Sequence, residues 1–174
     1  MEYENIKNSI ATVEDFPKKG ISFKDVTPLF LDPKKIEFIT EQMAEFAKSF
    51  DFDVIVAPES RGFLFGLPLA LKMKKPFVPI RKKGKLPRKV ISEEYELEYG
   101  KAILEISEGD IPKNSKVLIV DDLIATGGTT IAIQNLIKKI GSVVAGQVYL
   151  IELVELCDYK RLEGNFFSMI KYGK

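Results

Sequence analysis

At 174 residues, 45% hydrophobic and 29% charged, the chain has the size and make-up of one soluble globular domain with a sizeable core. Its net charge of +1 argues against nucleic-acid binding by bulk charge, and no apolar run approaches the roughly 20 residues of a membrane span. It has no histidine and one cysteine, Cys157, which excludes His-based triads, His-rich metal sites, intramolecular disulfides and multi-cysteine zinc sites.

The first residues, Met1 to Glu4, carry neither a basic segment nor an apolar one, so a cytoplasmic protein without a membrane segment is expected. Ile6, Ile10 and Val13 share one helical face, which predicts a short amphipathic helix over residues 3–14. Phe16 to Asp25, punctuated by Pro17 and Gly20, reads as irregular, with two phenylalanines that would pack into the core. Asp32-Pro33 is a helix start, Asp as N-cap and Pro at the first helical position. Ile36, Ile39, Met43, Phe46 and Phe50 follow at spacings of three and four, a core-facing stripe. A buried strand over residues 53–57 leads through a polar turn, Pro58 to Gly62, into a helix over 62–73, with Pro68 a candidate kink.

After a strand at Phe77 to Ile80 comes the most charged stretch, Arg81 to Lys89. It starts at the ligand-binding edge of the sheet, where Arg81 and Lys85 are candidates to bind a multiply charged anion such as pyrophosphate. Glu93 to Tyr99 alternates acidic with apolar or aromatic residues, as an exposed hairpin arm or movable lid does. A strand over 102–106 and a turn over 108–115 lead to the stretch that organises the chain, V-L-I-V-D-D-L-I-A-T-G-G-T-T from Val117 to Thr130.

Its four apolar residues, Val117 to Val120, read as a strand covered on both faces. Asp121 and Asp122 form an acidic tip, and a small-residue turn over 125–130 opens a helix beginning near Thr129 or Thr130 and capped by Gly141. Gly127 and Gly128 let backbone N–H groups approach an anion, the helix adds free N–H groups and its dipole, and Thr126, Thr129 and Thr130 add hydroxyl donors. Carboxylates repel phosphate, so the two aspartates are placed to accept hydrogen bonds from sugar hydroxyls; the site suits a sugar phosphate. No Lys follows the glycines and G-x-G-x-x-G is absent, which sets aside the two common nucleotide loops. Beyond the helix, residues 143–154 read as one long strand or two short ones, 158–163 as helical, and 166–170 as an edge strand. The alternation predicts a doubly wound α/β domain with a mainly parallel sheet of about five strands.

Acid–acid followed by T-G-G-T-T resembles the 5-phosphoribosyl-1-diphosphate (PRPP) motif of the type I phosphoribosyltransferases. That resemblance implies 5′-phosphate binding by Ala125, Thr126, Gly127, Gly128 and Thr129, and ribose binding by Asp121 and Asp122. The segment F-P-K-K-G-I-S-F-K-D, followed by T-P-L-F-L-D-P, resembles the N-terminal hood of the adenine phosphoribosyltransferase family. There the backbone around the second Phe recognises adenine and its ring stacks on it, which implies adenine binding by Ser22, Phe23 and Lys24. Many members carry Arg where this chain has Lys24. E-S-R-G-F-L-F-G matches the family's D-S-R-G-F-L-F-G, implying a pyrophosphate loop of Glu59, Ser60 and Arg61, with a strained Glu59–Ser60 peptide and a backbone rather than side-chain role for Glu59. I-R-K-K-G-K-L-P also matches, and E-Y-G-K at 98–101 implies that Glu98 acts catalytically on the purine's imidazole nitrogens, with Tyr99 beside it in the lid.

The resemblance implies one domain over 1–174, with a hood segment at 1–31 and a lid arm at 81–101. It implies transfer of the phosphoribosyl group from PRPP to adenine, giving AMP and pyrophosphate, in purine salvage. Magnesium would be held mainly by PRPP and water with no direct protein ligand, and a homodimer without nucleic-acid or membrane partners is expected. Three other readings stay open: a phosphoribosyltransferase for hypoxanthine, guanine or xanthine, a PRPP-sensing regulator, and an inactive binding module.

Overall fold

The computed structural model describes residues 2–97 and 100–173. A short helix, α1 (Tyr3–Asn8), precedes two hood strands, β1 (Ala11–Glu14) and β2 (Ser22–Asp25), which pair antiparallel with each other. A 3₁₀ turn (Thr27–Leu31) leads to α2 (Pro33–Ala47), β3 (Val54–Pro58), α3 (Arg61–Met73) and β4 (Phe77–Lys82). The hairpin β5 (Val90–Leu97) and β6 (Gly100–Ser107) follows, then β7 (Lys116–Ile124), α4 (Gly128–Lys139), β8 (Val143–Leu153) and β9 (Phe166–Tyr172).

The main sheet has seven strands in the order β5-β6-β4-β3-β7-β8-β9. The five from β4 to β9 run parallel, the number expected from the sequence, and the hairpin adds two antiparallel strands at one edge. Strand order runs one way from β3 to β4 and the other way from β7 to β9, so the topological switch point lies between β3 and β7. Any site at the carboxyl ends of these two strands sits in the crevice that such a switch creates.

Alternation along β7 builds the two cores. Leu118 and Val120 face α2 and α3 with Ile39, Met43, Phe65 and Leu69, while Val117 and Ile119 face α4 with Ile133, Leu136 and Ile137. Asp32 caps α2, accepting from Lys34 N–H at 3.1 Å. α4 ends as expected: Gly141 adopts φ +77, its N–H donates to Lys138 C=O, and Ser142 N–H reaches back to Ile137 C=O, a Schellman closure. α3 runs unbroken through Pro68, since Phe65, Leu69 and Ala70 are buried around it and tertiary packing offsets the lost hydrogen bond.

Several expectations need correcting. The N-terminal helix stops at Asn8; Ile6 and Ile10 are buried, but Val13 is on β1, paired with Phe23 and exposed. Phe16 to Asp25 is not wholly irregular, because β2 occupies its last four residues. Residues 143–153 form one strand, with a register shift opposite Val117/Leu118 where Gly146 admits the Phe50 ring; a Cβ there would lie 2.4 Å from a ring carbon. The expected helix at 158–163 is a single 3₁₀ turn, Tyr159–Arg161, anchored by a hydrogen bond from Tyr159 to buried Glu152. No helix among the described residues is long and apolar enough to cross a membrane.

Candidate active site

A cleft of about 1800 Å³ opens at the carboxyl ends of β3 and β7. Its walls come from the hood, the turn after β3, the residues from Asp121 to Thr130, and the hairpin residues Tyr95 and Glu96. The hood, the turn after β3, the start of the charged stretch at Lys82 and the Asp121–Thr130 segment thus contribute to one cavity. Glu98 and Tyr99 lie outside the described residues.

The aspartates are not a loop tip. β7 continues past them to Ile124, with Asp121 opposite Tyr149 and Ile124 opposite Glu152 on β8. A run of Leu123-Ile124 after the acids keeps the ladder going where four apolar residues alone marked a shorter strand. Asp121 Oδ1 accepts the Asp122 N–H at 2.8 Å. Burial, then the charge of Asp122, pushes the Asp121 carboxyl well above the usual carboxylate range. Asp122 is buried; Arg61 Nε is 3.0 Å from its Oδ2, but the N–H is not aimed along a hydrogen bond, so that oxygen has charge compensation and no donor. A buried carboxylate oxygen in this condition is a ready acceptor for a ligand hydroxyl.

The glycine turn follows directly. Gly127 takes φ +83 at the N-cap of α4, a conformation that strains any side chain. The helix begins at Gly128, slightly earlier than expected, and no side chain caps it, leaving first-turn amides for an anion. Thr126 is exposed and Thr129 half-buried at this rim. Thr130 is not a free donor: it is buried and its hydroxyl is 2.8 Å from Tyr149 Oη. Leu162 backs the turn, 3.3 Å from where a Cβ on Gly127 would stand.

After β3 the Glu59–Ser60 peptide is cis. Ser60 is exposed and Arg61 opens α3. Glu59 acts through its side chain as well as its backbone: Oε2 accepts from Arg81 Nε at 2.7 Å and from Lys82 N–H at 3.0 Å. Burial opposes its charge, but these two donors outweigh it and hold the carboxyl below its ordinary value. Arg81 is drawn onto Glu59, and neither it nor exposed Lys85 borders the cleft, whereas Lys82 does. A cation run at a strand end marks the right edge of the sheet but not which side chain turns inward.

Ser22, Phe23 and Lys24 lie together on β2 at the cleft. The Phe23 ring meets Phe16 edge-on at 5.1 Å, and Arg61 lies over it at 5.0 Å from the ring centre, so the two phenylalanines are a hood surface rather than core. Leu123 and Tyr172 also border the cleft and were not singled out from the sequence, since a Leu inside an apolar strand and a Tyr on an edge strand carry no distinguishing pattern.

Strand, paired carboxylates, uncapped glycine turn and helix, facing a basic turn across a topological switch point, define a site for a phosphorylated sugar. A family model described as "Phosphoribosyl transferase domain" matches residues 31–165, and the chain belongs to that family. The adenine phosphoribosyltransferase of Malacoplasma penetrans is 76% identical over 172 residues, covering 99% of this chain and all of that protein. The one from Ureaplasma parvum is 53% identical, covering 96% of each chain. Among solved structures, the adenine phosphoribosyltransferase of Thermoanaerobacter pseudethanolicus superposes with a TM-score of 0.95 at 46% identity, covering 98% of this chain and 100% of that one. The Saccharomyces cerevisiae enzyme, solved with adenine and an imino-altritol bisphosphate, gives 0.90 at 36% identity, covering 96% and 97%. Within the family, this chain falls among the adenine phosphoribosyltransferases.

Proposed function

We infer that the chain transfers the 5-phosphoribosyl group of PRPP to adenine, forming AMP and releasing pyrophosphate. The observation that carries this reading is the donor-less buried oxygen of Asp122 beside the uncapped amides of α4, with the Phe23 hood surface over the same cleft. A ribose hydroxyl satisfies the first, a 5′-phosphate the second, and a flat apolar base the third.

In the reaction the adenine N9–C1′ bond forms as the C1′–O bond to pyrophosphate breaks, and positive charge develops on the ribose. Asp121 and Asp122 hold the ribose hydroxyls and place negative charge near that centre. The N–H groups and hydroxyls from Ala125 to Thr129 fix the 5′-phosphate. Ser60, Arg61 and Lys82 face the departing pyrophosphate, while Glu59 keeps Arg81 and the Lys82 backbone in place. Glu98 takes the purine proton, and Tyr99 belongs to the lid that excludes water. Among the described residues no three carboxylates or cysteines converge on a metal position. The polar cleft beside the Asp121–Asp122 pair would suit a magnesium ion held mainly by PRPP and water, which would supply charge neutralisation of the pyrophosphate.

A homodimer completes the proposal. Leu64, Leu67 and Leu71 line one face of α3 at 43%, 47% and 72% exposure, an apolar stripe that a second copy of the chain would cover. Localisation in the cytoplasm fits the same salvage role.

The test is pyrophosphate release with PRPP and magnesium, comparing adenine, hypoxanthine, guanine and no base. Release with adenine alone supports the reading. Release with another base keeps the PRPP site and discards the adenine pocket; PRPP binding without release points to a sensor.

A further inference from the structure

The hood strands β1 and β2 pair with each other and not with the main sheet. The position of the surface offered to the purine therefore rests on side-chain contacts rather than on a hydrogen-bonded ladder. Phe23 and Val13, directly paired, occupy one face of this ribbon. Thr12 pairs with Lys24 and Glu14 with Ser22, which puts these four on the opposite face.

That second face is fully engaged. Ser22 Oγ donates to Glu14 Oε1 at 2.9 Å, so it accepts from Lys24 Nζ at 3.3 Å, and Thr12 Oγ1 accepts from the same ammonium at 3.0 Å. Lys24 Nζ then stands 4.6 Å from the centre of the Tyr172 ring. Tyr172 is the last residue of β9, paired with Leu153, and its carbonyl accepts Val154 N–H at 2.9 Å, so the ring is rooted in the main sheet. Lys7 of α1 places a second cation 5.4 Å from the same ring. Both N-terminal elements thus approach one aromatic ring at the far edge of the sheet.

We propose that Lys24 and Tyr172 form a clasp that sets the height of the hood over the cleft, and that both are positioning residues for the purine. The purine part of this rests on the adenine reading above. The clasp needs a cation and a ring, so Arg in place of Lys24, or Phe in place of Tyr172, would keep positive charge over an aromatic ring.

The experiment compares Lys24→Met, Tyr172→Leu, their double variant, Lys24→Arg and Tyr172→Phe. Each of the first two is expected to raise the KM for adenine roughly three- to tenfold, the loss of one partly desolvated cation–π contact, and to leave the KM for PRPP within about twofold. The double variant should be no worse than the worse single one, and Lys24→Arg and Tyr172→Phe, which keep a cation and a ring, should raise the KM for adenine less than Lys24→Met and Tyr172→Leu do. Hydrogen exchange without substrates should quicken over residues 11–25 in Lys24→Met and Tyr172→Leu. Faster hood exchange in a chain that turns over no adenine leaves the clasp standing and overturns only the choice of base. Unchanged exchange, a Lys24→Met effect that Tyr172→Leu does not share, or equal rises in both KM values would overturn the clasp.

Discussion

The hydrogen bond between Thr130 Oγ1 and Tyr149 Oη, 2.8 Å long, has its proton on the threonine. Tyr149 gives its single proton to Gln147 Oε1 at 2.7 Å, and Gln147 Nε2 donates to the Glu163 carbonyl at 2.6 Å, so the direction of the chain is fixed from its far end. Thr130, Tyr149 and Gln147 are all buried. Tyr149→Phe leaves Gln147 Oε1 buried without a donor and is expected to lose about 1–3 kcal/mol of stability in urea unfolding. PRPP affinity should change far less, since Thr130 does not supply a proton to the phosphate. A variant as stable as the unaltered chain would refute this order of donors.

Asp121 gives a pH dependence. Its carboxyl is raised above the ordinary 3.8 by burial first and the neighbouring Asp122 charge second, so the folded state holds the proton more tightly than the unfolded state. The associated stability is fully present below the unfolded value and is lost as pH rises through the higher folded value. Asp121→Asn keeps an oxygen for the Asp122 N–H and removes this loss. Its melting temperature should exceed that of the unaltered chain at neutral pH by about 2–4 °C, with the difference shrinking on acidification. Thermal melts over a pH series decide it; a variant that melts lower at neutral pH would show that the charged carboxylate stabilises the fold.

Gly62 packs beside Asp121, the carboxylate proposed to hold the ribose. A Cβ there would lie 2.8 Å from Asp121 Oδ1 and 2.9 Å from Pro58 Cδ. Gly62→Ala must move the carboxylate or the strand end and should weaken PRPP binding about tenfold or more, besides costing about 1–3 kcal/mol of stability. Calorimetric titration showing native affinity would mean that Asp121 does not hold PRPP.

Glu98→Gln should reduce turnover by roughly 10²–10⁴ while PRPP affinity stays close to native, because only proton handling is removed. Single-turnover kinetics beside PRPP titration separates the two quantities, and unchanged turnover would take Glu98 out of the mechanism.

Leu67→Glu puts a charge in the middle of the α3 stripe. Sedimentation at assay concentration is expected to show a dimer for the unaltered chain and a monomer for the variant. A monomer in both would reject the homodimer.

The fold's strongest features were legible because local and tertiary preferences agree in them. Asp32-Pro33 caps α2, Gly141 closes α4, and the apolar run of β7 is covered on both faces. The hood strands were not legible: Ile6, Ile10 and Val13 happen to fall at helical spacing, and a two-stranded ribbon with exposed Val13 has no one-sided burial to betray it. The charge of the run from Arg81 to Lys89 indicated a site edge, but Glu59 decides where the Arg81 guanidinium rests, and that pairing joins residues 22 positions apart. Tyr149 reads as core for the same reason, its partner Thr130 being 19 residues distant.

The separation of the hood ribbon from the main sheet has a consequence for how such an enzyme can diversify. In the proposed assignment, sugar handling belongs to residues carried by a seven-stranded ladder. In the same assignment, the choice of base belongs to a separate ribbon whose residues can vary without rewriting that ladder. Redesign toward a new nucleobase would begin in the hood and would leave the sheet alone except at Tyr172, where the ribbon rests on it.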